Sequence, residues 1–210
     1  TANAGDNSLS YPIPIYDSLG TEHIVNFSFT KTGENTWTAA VLLPTADQAN
    51  TTPAGVTAWA AAGAYNVGDI VSSPNEHIYQ CIKAGTSDAT TDPSTWPTDG
   101  STVTETGGVQ WRDMGANSVL TTVNFTFDKY GKLTGVTADP ATGSLSEVDN
   151  ITSTAALKDG ANPLQFNWKL SDSAGAPLIG QISGESTVAT YSQNGYGAGT
   201  LVDYSIQDDG

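Results

Sequence analysis

The chain has 210 residues, with 22 acidic and 7 basic side chains and a formal net charge of -15. Phosphate recognition rests on clustered Lys and Arg, so this balance argues against nucleic acid and anionic membrane as partners. The single cysteine, Cys81, excludes an internal disulfide and any metal site built on several thiolates.

A chain of this size buries roughly 70% of its unfolded surface without staples, as one large domain or two smaller ones. The acid excess is read as solubility. Calcium is the sharper reading, but the D-x-[DN]-x-[DN]-G spacing is absent. No basic stretch precedes an apolar run, so no cleaved signal peptide is expected, and no apolar run approaches the roughly 20 residues of a membrane span.

In chain order, residues 1–9 are polar and extended. Tyr11, Ile13 and Ile15 alternate with Pro12 and Pro14. Proline cannot donate to a ladder, so this is an edge strand or an extended linker. Asp17-Ser18-Leu19-Gly20 reads as a turn. His23, Val25, Phe27 and Phe29 then share one strand face, and after a turn at Thr32–Asn35 so do Trp37, Ala39, Val41 and Leu43. The pattern predicts a meander with one face packed and one wet.

Residues 44 to about 56 hold little to bury and read as a linker. From Thr57 to Gly115 the composition changes, with Trp59, Trp96, Trp111 and the cysteine. Short strands are expected at Ile70-Val71, His77–Ile82 and Val109–Asp113. A long loop covers 84–108, and one helical turn is expected in the Ala-rich 57–64. From Val119 the earlier style resumes, with Val119, Thr121, Val123, Phe125 and Phe127 on one face. Asp128–Gly131 turns the chain into Leu133–Val136. Weak strand signals follow around Leu145–Ile151. Leu164, Phe166, Trp168 and Leu170 form the cleanest period-2 run, Ser171–Pro177 is a turn, and a weak strand pattern leads on to Tyr191.

The last stretch, Gln193–Gly210, opens with Asn194 and Gly195, keeps Gly197 and Gly199 around Tyr196, and predicts a closing strand over Leu201–Ile206. It is expected to return the chain toward its start. The spacing of Gly195, Gly197 and Gly199 does not fit a dinucleotide or phosphate loop.

Catalytic chemistry is not expected. There is no G-x-S-x-G elbow and no Walker sequence. His23, in an apolar face, reads as structural, and neighbours Glu76 and His77 point to opposite sides of a strand. Most acids sit in turns, where Asp serves the backbone. No metal site and no cofactor are expected. The best binding feature is the ring set Trp59, Tyr65, Tyr79, Trp96 and Trp111. Flat rings suit sugar C–H faces, while a module this small also has few other ways to build a core. Trp96, between Thr95 and Pro97, is expected to be the most exposed ring.

Two stretches together resemble the bacterial flagellar hook protein. Ile15–Trp37, IYDSLGTEHIVNFSFTKTGENTW, is similar to that family's Tyr-Asp-Ser turn with Gly and His, followed by an aromatic strand, a Lys-Thr turn and a Trp. NGYGAGTLVDYSIQDDG resembles the family's return into its stalk domain, and FTFDKYGKL resembles a hairpin between them. The strand pattern from about 10 to 190 predicts an all-β fold, read with the resemblance as an antiparallel barrel or sandwich-like outer domain over 11–53 and 116–190; a small inserted β-module over 54–115 interrupts it and departs from the common hook pattern. Residues 1–10 and 191–210 would be stalk remnants or junction, with Asn194, Gly195, Tyr196, Gly197 and Gly199 marking the domain junction that the resemblance implies.

The resemblance also implies a structural subunit and not an enzyme. It would be part of an extracellular curved tube that passes motor torque to the filament, reached through the flagellar export channel. Partners would be further copies in a helical tube, with hook cap and hook–filament junction proteins during assembly. The insert's Trp59, Tyr65, Gly68-Asp69, Val71, Tyr79, Cys81 and Trp111 resemble a small chitin-binding type module, so a glycan is its candidate partner. The alternative reading is an extracellular carbohydrate-binding or adhesive surface protein.

Overall fold

The computed structural model describes residues 8–182 and 187–199; the closing strand expected at 201–206 lies outside them. The fold is all-β. One sheet has five antiparallel strands in the order β1-β2-β3-β11-β12. These are β1 (Ser8–Tyr16), β2 (Glu22–Gly33), β3 (Thr36–Pro44), β11 (Asn117–Phe127) and β12 (Leu133–Asp139). Strand β1 with its two prolines takes the edge, as expected. A second sheet has three strands, β13 (Thr142–Gly143), β14 (Glu147–Thr152) and β15 (Gln165–Lys169). The two form a sandwich, and the larger sheet runs open from β1 to β12, so the barrel alternative is not realised.

The sandwich core takes alternate residues from the long strands. Val25, Phe27, Ala39, Val41, Leu43, Val123 and Phe125 meet Val148, Ile151, Leu164 and Leu170. Phe27, Phe29 and Phe125 all place their rings 4.8 to 5.8 Å from Trp168, edge to face, the arrangement the aromatic quadrupole favours.

Three hairpin turns share one chemistry. Asp17, Asp128 and Asp172 each stand three residues before a glycine with φ of 79°, 80° and 79°. In each, one carboxylate oxygen accepts from the backbone N–H groups two and four residues on, at 2.8 to 3.0 Å. The glycine N–H returns to the Asp carbonyl. The side chain supplies what the tight backbone lacks, and glycine supplies the left-handed residue. This is where part of the acid excess goes.

Between β3 and β11 stands the insert. Pro44 and Asn117 are paired across the sheet, so the insert leaves and re-enters on one rung. Its strands are β4 (Thr57–Ala58), β5 (Ala64–Tyr65), β6 (Ile70–Ser72), β7 (Ile78–Lys83), β8 (Gly85–Thr86), β9 (Thr102–Thr104) and β10 (Gln110–Asp113). They make a five-stranded sheet ordered β4-β6-β7-β10-β9 and a two-stranded β5-β8 ribbon.

Several expectations are corrected. The Ala-rich 57–64 is not helical: it gives β4, a turn and the start of β5. The linker reading of 44–56 also fails. Thr45–Asp47 is a 3-10 turn, and Gln48 is buried, donating to the carbonyls of Leu43 and Pro44 while accepting from Ser118. Ala49 N–H reaches Ala156 O, so this segment is fixed to the loop before β15. No strand forms over the described part of 178–191, where Leu178 and Ile182 stand exposed.

The largest correction concerns the face expected to be wet. Ser28, Thr30, Thr38, Ala40 and Leu42 are all buried. Ala40, Leu42 and Val119 form a second apolar cluster with Ile78, Val56, Ile70 and Met114 of the insert side. Thr30 donates to Gln80 at 2.6 Å and Arg112 to Ser8 at 2.5 Å across the same seam. Val119 was expected beside Val123. A bulge between Val119 and Thr121 reverses the alternation, so Val119 faces the insert and Leu120 the sandwich core. The bulge lies where the insert crosses: Ala54 O accepts from Val119 N–H, and a Cβ on Gly55 (φ +71°) would overlap Val119 O.

The seam gives the first test. Leu42→Ala, a position that alternation places outward, is expected to cost about 2–5 kcal/mol in urea denaturation, as for a core leucine. A cost below about 0.5 kcal/mol, the range of surface changes, would show that the insert does not cover this face.

Candidate functional site

The five rings singled out in the insert converge. Trp96 is the hub, with Tyr79 at 4.9 Å, Trp111 stacked at 5.6 Å and Trp59 edge-on at 6.0 Å; Tyr65 meets Trp111 at 4.8 Å. Trp96, expected to be the most exposed, is only 5% exposed, and Tyr79 and Trp111 are fully buried. The reason lies in its loop. Asp92 caps the 3-10 turn Pro93–Thr95, and that turn aims Trp96 inward. Trp59 and Tyr65 are half-buried at the margin of the cluster.

The polar tips of these rings are used inside the module. Glu105, itself buried, accepts from Trp59 Nε1 at 3.2 Å and Trp111 Nε1 at 2.5 Å on one oxygen, and from Asp88 N–H at 2.6 Å on the other. Tyr79 donates to Pro97 O and accepts from Asn75, and Tyr65 accepts from Ala60 N–H. Sequence reasoning missed Glu105. Its only signal is an acid two residues before a Gly-Gly turn, which reads as solvent-facing. Cys81 is buried beside the rings, and burial pushes its thiol up to about 11, so it stays protonated and unreactive.

A second group forms around His23, which lies 5% exposed at the end of the sandwich. Its Nε2 is 3.1 Å from Asp17 Oδ2 and its Nδ1 is 3.2 Å from Asp47 Oδ2. Asp159, in the loop between β14 and β15, joins them. One donor atom each from Asp17, His23 and Asp159 lie within 4.8 Å of one another. Asp159 Oδ1 accepts from Ala161 N–H, and Asn162 N–H donates to Ser18, which ties that loop to the Asp17 turn. Burial alone would lower the pKa of His23, but the hydrogen bonds and charges of Asp17 and Asp47 outweigh it and raise it. Burial would likewise raise Asp17. The bonds from His23, Thr21 and Leu19 and the contact with Asp159 win, holding it at about 2. His23 stands between the Asp17 turn and the Asp47 3-10 turn, bonded to both and with the Asp159 loop close by, rather than filling an apolar face.

The residues read as a junction run beside β1. Tyr191 packs edge-on against Tyr11 at 5.6 Å, Gly195 lies on the Tyr16 ring, and Ala198 N–H bonds Gly20 O at 3.3 Å. The segment therefore follows β1 in the same direction and reaches the Asp17–Gly20 turn, the far end of β1 from Ser8. The return toward the chain's start is not seen in the described residues. A Cβ on Gly195 would come within 3.2 Å of Tyr16, and Gly20 (φ +79°) has no room for one against Ala198. Tyr196 is 85% exposed, while Asn194 and Gly199 make no close packing that would fix their identity.

Compared with known families, residues 2–196 match the family described as flagellar basal body protein FlaE D2 domain. The chain belongs to this family of flagellar hook proteins. Comparison with curated proteins and with solved structures each gives no match. The family is a structural one and not an enzyme family.

Two measurements follow. Trp96→Ala is expected to destabilise by about 3–5 kcal/mol and to flatten the near-ultraviolet circular dichroism of the insert, because it empties the hub of a core. A variant of unchanged stability would instead mark Trp96 as a surface ring. For the His23 group, measured with chelator present, the raised His23 contributes fully below its unfolded value of 6.5 and its contribution is lost as pH rises through the folded value. The depressed Asp17 contributes fully above 3.8 and its contribution is lost as pH falls toward about 2. The melting temperature is expected to be highest between these limits, and His23→Gln is expected to flatten the profile. An unchanged profile in that variant would remove the group from the account.

Proposed function

We propose, from membership of the FlaE D2 family, that this chain is the outer part of a hook subunit in a curved extracellular tube that transmits torque as a universal joint. The observation that carries this reading is the family match over 2–196, joined to a body whose interior is filled on both sides of one sheet. Such a body suits load-bearing: force entering at β1 reaches β11 and β12 through continuous antiparallel pairing.

Neighbouring outer domains then touch along the exposed apolar positions. Tyr130 is 81% exposed and Ile182 76%, and they lie together because Gln181 N–H bonds Gly131 O. Further copies in the tube, and cap and junction proteins during assembly, are the partners in this reading, with export through the flagellar channel without a cleaved signal. Hooks built from full-length subunits carrying Tyr130→Ser with Ile182→Ser are expected to be straighter or shorter and to support slower swimming. Normal hooks and normal swimming would overturn this contact.

A glycan-binding role for the insert is proposed on a narrower observation. Of the five rings, Trp59 and Tyr65 alone keep partial exposure. Retention of the chain on insoluble chitin, lost in Trp59→Ala, is the expected result, and absence of retention of the unmodified chain ends this reading.

A further inference from the structure

We propose that Asp17, His23 and Asp159 form a site for one divalent transition-metal ion of the zinc class, with Asp47 as the outer carboxylate that orients the histidine. The reasoning starts from the donor set. Zinc takes imidazole nitrogen and carboxylate oxygen at about 2.0–2.2 Å in a tetrahedron, so adjacent donors stand about 3.3–3.5 Å apart. His23 Nε2 and Asp17 Oδ2 are 3.1 Å apart, and one donor atom each of Asp17, His23 and Asp159 lie within 4.8 Å of one another. A small shift of the exposed Asp159 loop completes three ligands, leaving the fourth position to water.

The second observation is the state of the histidine. Its Nδ1 faces Asp47 Oδ2 at 3.2 Å. An Nδ1–H held by a carboxylate directs the Nε2 lone pair toward the other two carboxylates, the carboxylate–histidine–metal arrangement that fixes tautomer and ring orientation. The Asp17 side chain is fully buried and His23 nearly so, so two of the three ligands are already held in place by the fold. Binding replaces the proton on Nε2, which leaves to solvent, and nothing else is exchanged. A nitrogen ligand favours zinc and its neighbours over calcium and magnesium, which prefer all-oxygen shells.

The site would join the two sheets. Asp17 ends the β1 side of the larger sheet, His23 begins β2, and Asp159 belongs to the loop between β14 and β15. An ion here would brace the sandwich at the end where the 187–199 segment arrives at Gly20.

The test uses the whole chain, stripped with chelator and titrated with zinc sulfate or cobalt chloride. One equivalent is expected. At a hundredfold excess over Kd the melting temperature is expected to rise by about 5–10 °C, and cobalt is expected to give the visible bands of four-coordination. Asp159→Asn is expected to weaken binding at least about tenfold, read as the zinc-induced shift relative to that variant's own metal-free melting temperature; Asp47→Asn is expected to weaken it roughly 10–100-fold. His77→Gln, at the separate His77–Asp113 pair, is expected to bind like the unmodified chain. The proposal is overturned if zinc gives no shift and cobalt no bands, if binding is undiminished in Asp159→Asn, or if it is lost in His77→Gln.

Discussion

Strand β3 is buried on both faces from Thr38 to Leu43, with Phe27–Ser28 of β2 and Ser118–Thr121 of β11 buried beside it, and the remaining parts of the chain are arranged around that constraint. A sheet buried on two sides needs a cover for each. The three short strands β13–β15 cover one face through Trp168, Leu164 and Leu170. The insert covers the other through Ile78, Ile70 and Met114. The two seams differ in chemistry. The first is wide and aromatic. The second is narrow, built on Ala40 and Leu42 with threonines and serines between, which lets the insert approach closely and hydrogen-bond to the sheet.

The position of the insert follows from the same constraint. It leaves and re-enters between paired residues Pro44 and Asn117, so adding it leaves the β3–β11 ladder intact. The bulge after Val119 then turns one side chain toward the insert without breaking the core phase of Val123 and Phe125. Within the insert, a small body gains its core from five rings around Trp96, and a buried carboxylate satisfies two indole N–H groups that would otherwise be stranded. Aromatic content that reads as a ligand platform is here mostly turned to cohesion.

The loops at the end of the sandwich obey electrostatics rather than packing. Asp17 serves its turn with one oxygen and His23 with the other, and Asp47 takes the far side of the ring. A protonated imidazole between two carboxylates needs both of its N–H groups, which is why His23 holds its proton more strongly despite burial. Family membership gives this architecture its setting: it is a D2 domain of the flagellar hook family.

Local rules determined much of this from the sequence alone. The Asp-x-x-Gly turns at 17, 128 and 172 were legible because Asp and Gly each answer a backbone need within four residues. The strand faces at 23–29, 37–43 and 164–170 were legible because period two is a local pattern, and the edge position of β1 because proline lacks an N–H. The family resemblance rested on Ile15–Trp37, on Phe125–Leu133 and on the stretch from Asn194, of which the first two contain the Asp17 and Asp128 turns. What lay beyond the sequence depended on distant partners. Ala40 and Leu42 looked outward until a second body was laid over them. Trp96 looked exposed until its capped turn aimed it inward, and Gln48 looked like linker until Ser118 and the strand-end carbonyls of Leu43 and Pro44 met it. The His23 group joins residues 17, 23, 47 and 159, with no motif spacing to announce it. Only the tertiary structure decided these, because burial is set by what packs on a face and not by the face itself.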